Sequence, residues 1–297
     1  MRYFQFSKNG RRRVGVETAP GQITDITSIE PIIDSTNDLF AAAAVAGSTA
    51  DAVTTAVLAR GGGDTVSWDS LAKKGGDYKL LPPIDAPEVW AFGVTYMDSM
   101  RERQAESGTP DVYAKVYNAD RPEAFFKATG ARVQSPFDEV GIRADSGWDV
   151  PEPELAFVVF GGRIVGYTAG NDMSSRTIEG ENPLYLPQAK VYDKSVSFGP
   201  CIVSAESIGD AQDLDVTLTI ERDGKQAFKG KANTSSMKRD CAYLYDWLKR
   251  HNTVPDGTVS LTGTGTIPPP DFTLAAGDVV SIEIEKIGIL VNTVVVV

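Results

Sequence analysis

The segment Pro151-Glu152-Pro153-Glu154-Leu155-Ala156-Phe157-Val158-Val159-Phe160 constrains this chain most, because two carboxylates open an unbroken apolar run. In extended conformation Glu152 and Glu154 point to one face of a strand, about 7 Å apart. Like charges at that spacing repel unless a cation lies between them. Ligands that are all oxygen favour a hard ion such as Mg2+, with Mn2+ or Ca2+ as substitutes. Gly161-Gly162 can turn the chain, so that Ile164 to Ala169 returns antiparallel and carries Asn171-Asp172 back toward Glu152. A two-residue loop would pair Asn171 with Glu152; a three-residue loop including Arg163 would set Asp172 opposite Glu152 on the same face. We expect the second, or a strand break that aims Asp172 inward.

The remaining composition narrows the chemistry. Of 297 residues only His251 is a histidine, which removes most routes to a nucleophilic triad or a three-imidazole metal site. It follows a helical stretch and reads as a surface residue favoured by the helix C-terminus. Cys201 and Cys241 lack Cys-x-x-Cys spacing, which argues against a disulfide framework or a thiolate zinc site. Catalysis must then rest on carboxylates, lysines, tyrosines and hydroxyls. With 29 Lys and Arg against 40 Asp and Glu, the net charge of -11 makes nucleic acid an unfavourable partner. No apolar run approaches the ~18 residues of a membrane span, and the N-terminus lacks the apolar core of a secretion signal. A cytoplasmic protein without membrane contact is expected.

Composition shifts near Ile84. Before it, Asp38 to Ala46 and Thr49 to Arg60 read as Ala-rich helices, flanked by short β-like runs at Tyr3 to Phe6 and Val14 to Glu17. Leu81-Pro82-Pro83 suits a linker. We therefore expect a small N-terminal α/β domain over 1–83 and a β-rich catalytic domain over 84–297. In the latter, Val216, Leu218 and Ile220 alternate up to the Asp223-Gly224 turn and return as a hairpin through Gln226 to Lys231. A helix follows, capped by Ser236, with Cys241, Leu244, Trp247 and Leu248 on one face. Thr258 to Thr262, Asp278 to Glu285 and Ile287 to Val297 read as further strands of an antiparallel or mixed sheet.

Several ordered segments resemble the fumarylacetoacetate hydrolase superfamily. Pro151 to Phe160 is similar to its Glu-x-Glu-Leu-Ala strand, Asn171-Asp172-Met173-Ser174-Ser175-Arg176 to its Asn-Asp-Val-Ser-Ala-Arg segment, and Leu261-Thr262-Gly263-Thr264 to its Thr-Gly-Thr turn. Gly277-Asp278 and Glu283-Ile284-Glu285 followed by Ile287-Gly288 match its C-terminal pattern. The resemblance implies an α+β, β-rich fold, a mixed β-roll, with Glu152, Glu154 and Asp172 holding one divalent metal, usually magnesium. It also implies a homo-oligomer, dimer or tetramer. Phe125-Phe126-Lys127 is similar to the family's Phe-x-Lys strand, and Lys190 stands where a lysine near the metal is expected. Phe126, Lys127 and Thr264 are expected at the substrate, the lysine as a partner for its carboxylate.

Gly93-Val94-Thr95-Tyr96 resembles the opening of the family's lid, where hydrolases carry a histidine and a glutamate three and six residues after the tyrosine. Here those places hold Ser99 and Glu102, and a serine without a base cannot activate water. Arg121 to Thr129 and Glu181-Asn182-Pro183-Leu184-Tyr185-Leu186-Pro187-Gln188 are instead similar to the 2-keto-3-deoxy-D-arabinonate dehydratase branch. That implies a magnesium-dependent lyase converting a 2-keto-3-deoxy sugar acid to 2-oxoglutarate semialdehyde and water, with no organic cofactor. Glu123 and Lys190 are the expected acid-base pair, and Tyr96, Arg101 and Glu102 belong to the lid over the substrate. The competing readings are a hydrolase or decarboxylase of a 2,4-dioxo acid with Glu102 as its base, and a non-catalytic member that binds a keto acid.

Overall fold

In the computed structural model, which describes residues 1–97, 99–101 and 110–297, the apolar run of the opening segment lies inside two cores at once. The first eighty residues contribute strands β1 (Arg2–Lys8), β2 (Arg11–Ala19), β3 (Gln22–Asp25), β4 (Asp64–Ser67) and β5 (Tyr78–Leu80). Then come β6 (Glu88–Gly93), β7 (Glu123–Thr129), β8 (Val133–Gln134), β9 (Glu139–Ile142), β10 (Asp149–Phe160), β11 (Arg163–Ser175) and β12 (Val196–Ser204). The last are β13 (Asp215–Arg222), β14 (Lys225–Asn233), β15 (Val259–Leu261), β16 (Val279–Ile284) and β17 (Gly288–Val296).

One twelve-stranded sheet runs β4-β3-β2-β1-β12-β11-β10-β15-β6-β7, with β5 on β1 and β8 on β12. A five-stranded sheet runs β14-β13-β16-β17-β9. Most pairs are antiparallel, but β8 with β12, β6 with β15 and β9 with β17 are parallel, so the architecture is mixed. The strands before residue 83 join this same large sheet through β1 and β12, and the change of composition near Ile84 falls in the strand-free stretch between β5 and β6.

Every residue of β10 is buried. Because side chains alternate, Leu155, Phe157 and Val159 enter the large core shared with Leu218 and Ile282 of the second sheet. Ala156, Val158 and Phe160 face the other way, into a core that includes Leu39 and Phe40 of the helix Thr36–Val45 and Ala50 of the helix Ala50–Leu58. A strand covered on both faces needs a continuous apolar sequence rather than an alternating one. The two Ala-rich helices meet at 103°, and among the described residues no single helix is long and apolar enough to cross a membrane.

The register that places Asp172 is obtained differently from the expectation. Phe160 pairs with Arg163, so the loop is only Gly161-Gly162, both at positive φ as a tight hairpin turn requires. That turn alone would set Asn171 against Glu152. A bulge between Val158 and Val159, in which Val165 is the extra residue, shifts the ladder by one and pairs Glu152 with Asp172. The strand continues unbroken to Ser175. A second correction concerns the late helix: it spans Cys241–Lys249 and is capped by Asp240, whose side chain accepts from the Tyr243 N–H, while Ser236 lies in a short 3-10 turn, Thr234–Ser236. Both cysteines are buried and free.

Asp149, the first residue of β10, is buried, and desolvation pushes its carboxyl up to about 6 in spite of hydrogen bonds from Ser146 and the Arg143 backbone. An unfolded aspartate titrates near ~3.9, so the folded state holds this proton more tightly. Asp149 therefore costs nothing well below pH 4, and its penalty grows as pH rises toward 6 and stays complete above it. Asp149→Asn should stabilise the metal-free chain by on the order of 2 kcal/mol more at pH 8 than at pH 4.5 in urea unfolding. An equal effect at both pH values would show that this carboxyl is not the source.

Candidate active site

Glu152 and Glu154 continue the face of β10 that carries Ala156 and Val158, and Asp172 faces Glu152 across the hairpin. One ligand oxygen from each of the three lies within 4.8 Å of the others, and all three side chains are buried. Burial, reinforced by the neighbouring charges of Asp172 and Glu152, raises the Glu154 carboxyl well above its ordinary range. The group has one fixed partner in the Gly263 N–H, which donates to Glu154 Oε2 at 2.6 Å. Three converging oxygens in a site this costly in repulsion are a donor set that fits a hard divalent cation.

Cations approach the triad from several sides. Lys190 ends the short helix Leu186–Lys190, and its Nζ donates to Glu152 Oε2 at 2.8 Å, to Asp172 Oδ2 at 3.1 Å and to Ser174 Oγ. Arg176 donates to Glu152 Oε1 at 2.9 Å. Lys127 pairs with Asp172 Oδ1 and donates to the carbonyls of Met173, at 2.9 Å, and of Lys190. Lys127 is the extra residue of a bulge in β7, since Val89 pairs with Ala128 and Trp90 with Phe126. It is wholly buried, and desolvation pulls its ammonium down in pKa despite the opposing pull of Asp172. Asp172 is thus held from behind by one lysine and from within the cleft by another.

The cleft in front of the triad is lined by Glu123, Phe125, Glu152, Asp172, Glu179, Lys190 and Thr264, with Val94, Ser99, Pro183 and Leu186 among others. Glu123, Lys190 and Thr264 thus come together with two of the three carboxylates, as expected for one site. The structure places four other expected site residues away from the lining. Phe126 packs edge-to-face on Trp90 at 5.7 Å, and it is Phe125, the preceding residue of β7 and on its opposite face, that lines the cleft. Lys127 lies behind Asp172 and does not line the cleft. Tyr96 is buried, bridged to Met237 and packed over Gly265, not in the lining. Arg101 is exposed and also absent from the lining; Glu102 lies outside the described residues.

Residue-by-residue reading passed over Arg176, Ser174 and Glu179 as functional groups. Glu179 lines the cleft, 3.5 Å from Lys190 and 3.8 Å from Arg176 three residues before it. A signal existed: Arg176 and Glu179 lie at helical spacing just after Asp172. His251 is exposed just beyond the helix Cys241–Lys249 and does not line the cleft.

Known proteins resemble the chain in sequence and in fold. The profile of the family described as fumarylacetoacetate (FAA) hydrolase C-terminal matches residues 88–295. A protein of Haloferax volcanii named "probable 2-keto-3-deoxyxylonate dehydratase" is 56% identical over 71% of this chain and 73% of its own length. The 2-dehydro-3-deoxy-D-arabinonate dehydratase of Saccharolobus solfataricus is 44% identical over 73% of this chain and 74% of its own. A solved structure of 2-keto-3-deoxy-D-arabinonate dehydratase complexed with magnesium and 2,5-dioxopentanoate superposes with a TM-score of 0.83, at 35% identity over 100% of this chain and 99% of that one. Likeness of this extent, in sequence and in fold, makes the chain a member of the fumarylacetoacetate hydrolase family.

Proposed function

We propose that this protein is a magnesium-dependent dehydratase that converts a 2-keto-3-deoxypentonate to 2-oxoglutarate semialdehyde and water. The observation that carries the reading is a single cleft in which Glu152 and Asp172 of the buried carboxylate triad meet Glu123 and Lys190, with no imidazole in the lining. The relatives support the reaction: two are named for dehydration of such acids, and the 2,5-dioxopentanoate of the solved complex is 2-oxoglutarate semialdehyde under another name. The ketone and the deoxygenation remove the stereocentres at C2 and C3, so a pentonate of this kind keeps only C4. Acids derived from xylonate and arabinonate with the same C4 configuration are therefore one substrate.

Glu152, Glu154 and Asp172 would hold the magnesium, which would polarise the 2-keto carboxylate and make a C3 proton more acidic. The remaining work falls to side chains of this chain. Glu123, on β7, takes the C3 proton, and Lys190 gives a proton to the C4 hydroxyl as it leaves as water. A proton then moves from C5 to C3, and the resulting C5 enol becomes the aldehyde, so the balance is one water lost. Thr264, Phe125 and Glu179 border the cleft in which the acid is held. Hydrolysis would require a base beside Ser99 to activate water, and histidine is absent there.

Charge supports the same substrate class. Around the triad, the buried carboxylates Glu152, Glu154, Asp172 and Glu179 face the buried cations Lys127, Lys190 and Arg176. With all ionised the set carries one net negative charge, and ionised Glu123 in the same cleft makes it two; a divalent ion cancels that charge and removes the repulsion that an incoming keto-acid carboxylate would otherwise meet. Family membership also favours a cytoplasmic homo-oligomer, to be checked by light scattering of the purified chain.

With magnesium and 2-keto-3-deoxypentonate of each C4 configuration, aldehyde should appear for one configuration and stop on chelation. Cleavage of a 2,4-dioxo acid to pyruvate, with no aldehyde from either pentonate, would reject dehydration. Glu154→Gln should lower magnesium affinity at least ~10-fold and reduce turnover with it; full activity after exhaustive chelation would remove the metal premise. Glu123→Gln should leave KM within a few-fold while kcat falls roughly 10²- to 10⁴-fold, and unchanged turnover would remove Glu123 from the chemistry.

A further inference from the structure

The chain between β6 and the cleft has an unusual backbone. Val94, a β-branched residue, adopts φ +54°, a conformation such side chains rarely enter. The turn it makes drives Thr95 into the interior, where its side chain is fully buried and does not border the cleft. There Thr95 Oγ1 donates to the carbonyl of Thr262 at 2.7 Å. The Thr95 carbonyl in turn accepts from the Lys238 N–H at 3.0 Å, which fixes Thr95 from the other side.

The Thr262 carbonyl and the Gly263 N–H belong to one peptide group, which is planar and rigid, with the two bonds pointing in opposite directions. Thr95 holds one edge of that plane; Glu154 Oε2 is held by the other, at 2.6 Å. Position 263 must be glycine for this arrangement: its φ is +91°, and an added Cβ would lie 2.1 Å from Thr95 Oγ1. Thr262 itself is pinned by its N–H and hydroxyl to the Leu155 carbonyl, at 3.0 and 2.8 Å, so rotation about the plane is the freedom that Thr95 removes.

We propose that Thr95 is a positioning residue for the metal ligand Glu154, acting through the rigid Thr262–Gly263 peptide. By gripping the carbonyl it keeps the opposite N–H aimed at Glu154, which commits one carboxylate oxygen and stops the group from turning away from Glu152 and Asp172. Partners of this outer kind tune metal affinity as the ligands themselves do. The inference rests on the reading of the triad as a magnesium site.

The test is calorimetric titration of the full-length protein with magnesium alone, together with kcat and KM. Thr95→Val keeps the shape and loses the hydroxyl; it should weaken magnesium binding about 10-fold or more, whereas Thr95→Ser should stay within about 2-fold of the native chain. Thr95→Ala, which places no added carbon against Gly263, carries the same expectation as Thr95→Val should the latter fail to fold. Native magnesium affinity in Thr95→Val or Thr95→Ala, with only a lowered melting temperature, would overturn the proposal, as would a Thr95→Ser variant as weak as Thr95→Val. A native chain that binds no magnesium would overturn the metal reading as well, so the two failures are told apart.

Discussion

The pairing of Glu152 with Asp172 across the β10–β11 hairpin is the constraint on which the active site depends. Two carboxylates facing each other in a buried position are unfavourable, and the surrounding structure consists largely of what makes the pairing tolerable. Arg176 and Lys190 neutralise Glu152, while Lys127 and Lys190 neutralise Asp172. Glu154 has less help, and its raised pKa reflects that. The third carboxylate is therefore the one for which an added cation relieves most, and also the one whose orientation relies on a backbone N–H.

The sheet can sustain this because β10 cannot slide. A shift by one residue would exchange Leu155, Phe157 and Val159 with Ala156, Val158 and Phe160, moving large side chains from one core into another built for different shapes. Packing of the apolar half of the strand thus holds its acidic half in register, which is why the same segment constrains both fold and chemistry. The hydrophobic burial and the ligand geometry are two consequences of one alternation.

Much of this was legible in the sequence, and what was not has identifiable causes. The two acids before an apolar run, the glycine pair, the hairpin at Asp223-Gly224 and the missing histidine all carry their meaning in residue type and spacing. The pairing of Glu152 with Asp172 was expected, but through a longer loop, since a bulge such as that at Val165 is a backbone event with no residue signature. The same limit explains β7: strict alternation counted from Glu123 still carries Phe125 and Lys127 on one face, yet the bulge at Lys127 takes its ammonium behind Asp172 instead of into the cleft. Ser236 and Asp240 are both good caps, and only the path of the chain after β14 decides between them.

Thr95 illustrates the deeper reason that some site residues escape a reading by motif. It touches neither the cleft nor a carboxylate, and its influence passes through a peptide plane contributed by residues more than 160 positions later. Sequence can suggest which side chains have the chemistry to bind or transfer protons; it holds no record of which backbone groups those side chains will meet. The strained turn at Val94 is the outward sign, because a β-branched residue at positive φ persists only where the surrounding structure forces it. The forcing here comes from contacts of Thr95 and Tyr96 with the segment 262–265, next to Glu154 and to Thr264 in the cleft. Strain in the β6 exit and order in the carboxylate triad are therefore parts of one arrangement, in which the cost at Val94 is offset by the contacts that hold Thr95 to the Thr262–Gly263 peptide, whose N–H orients Glu154.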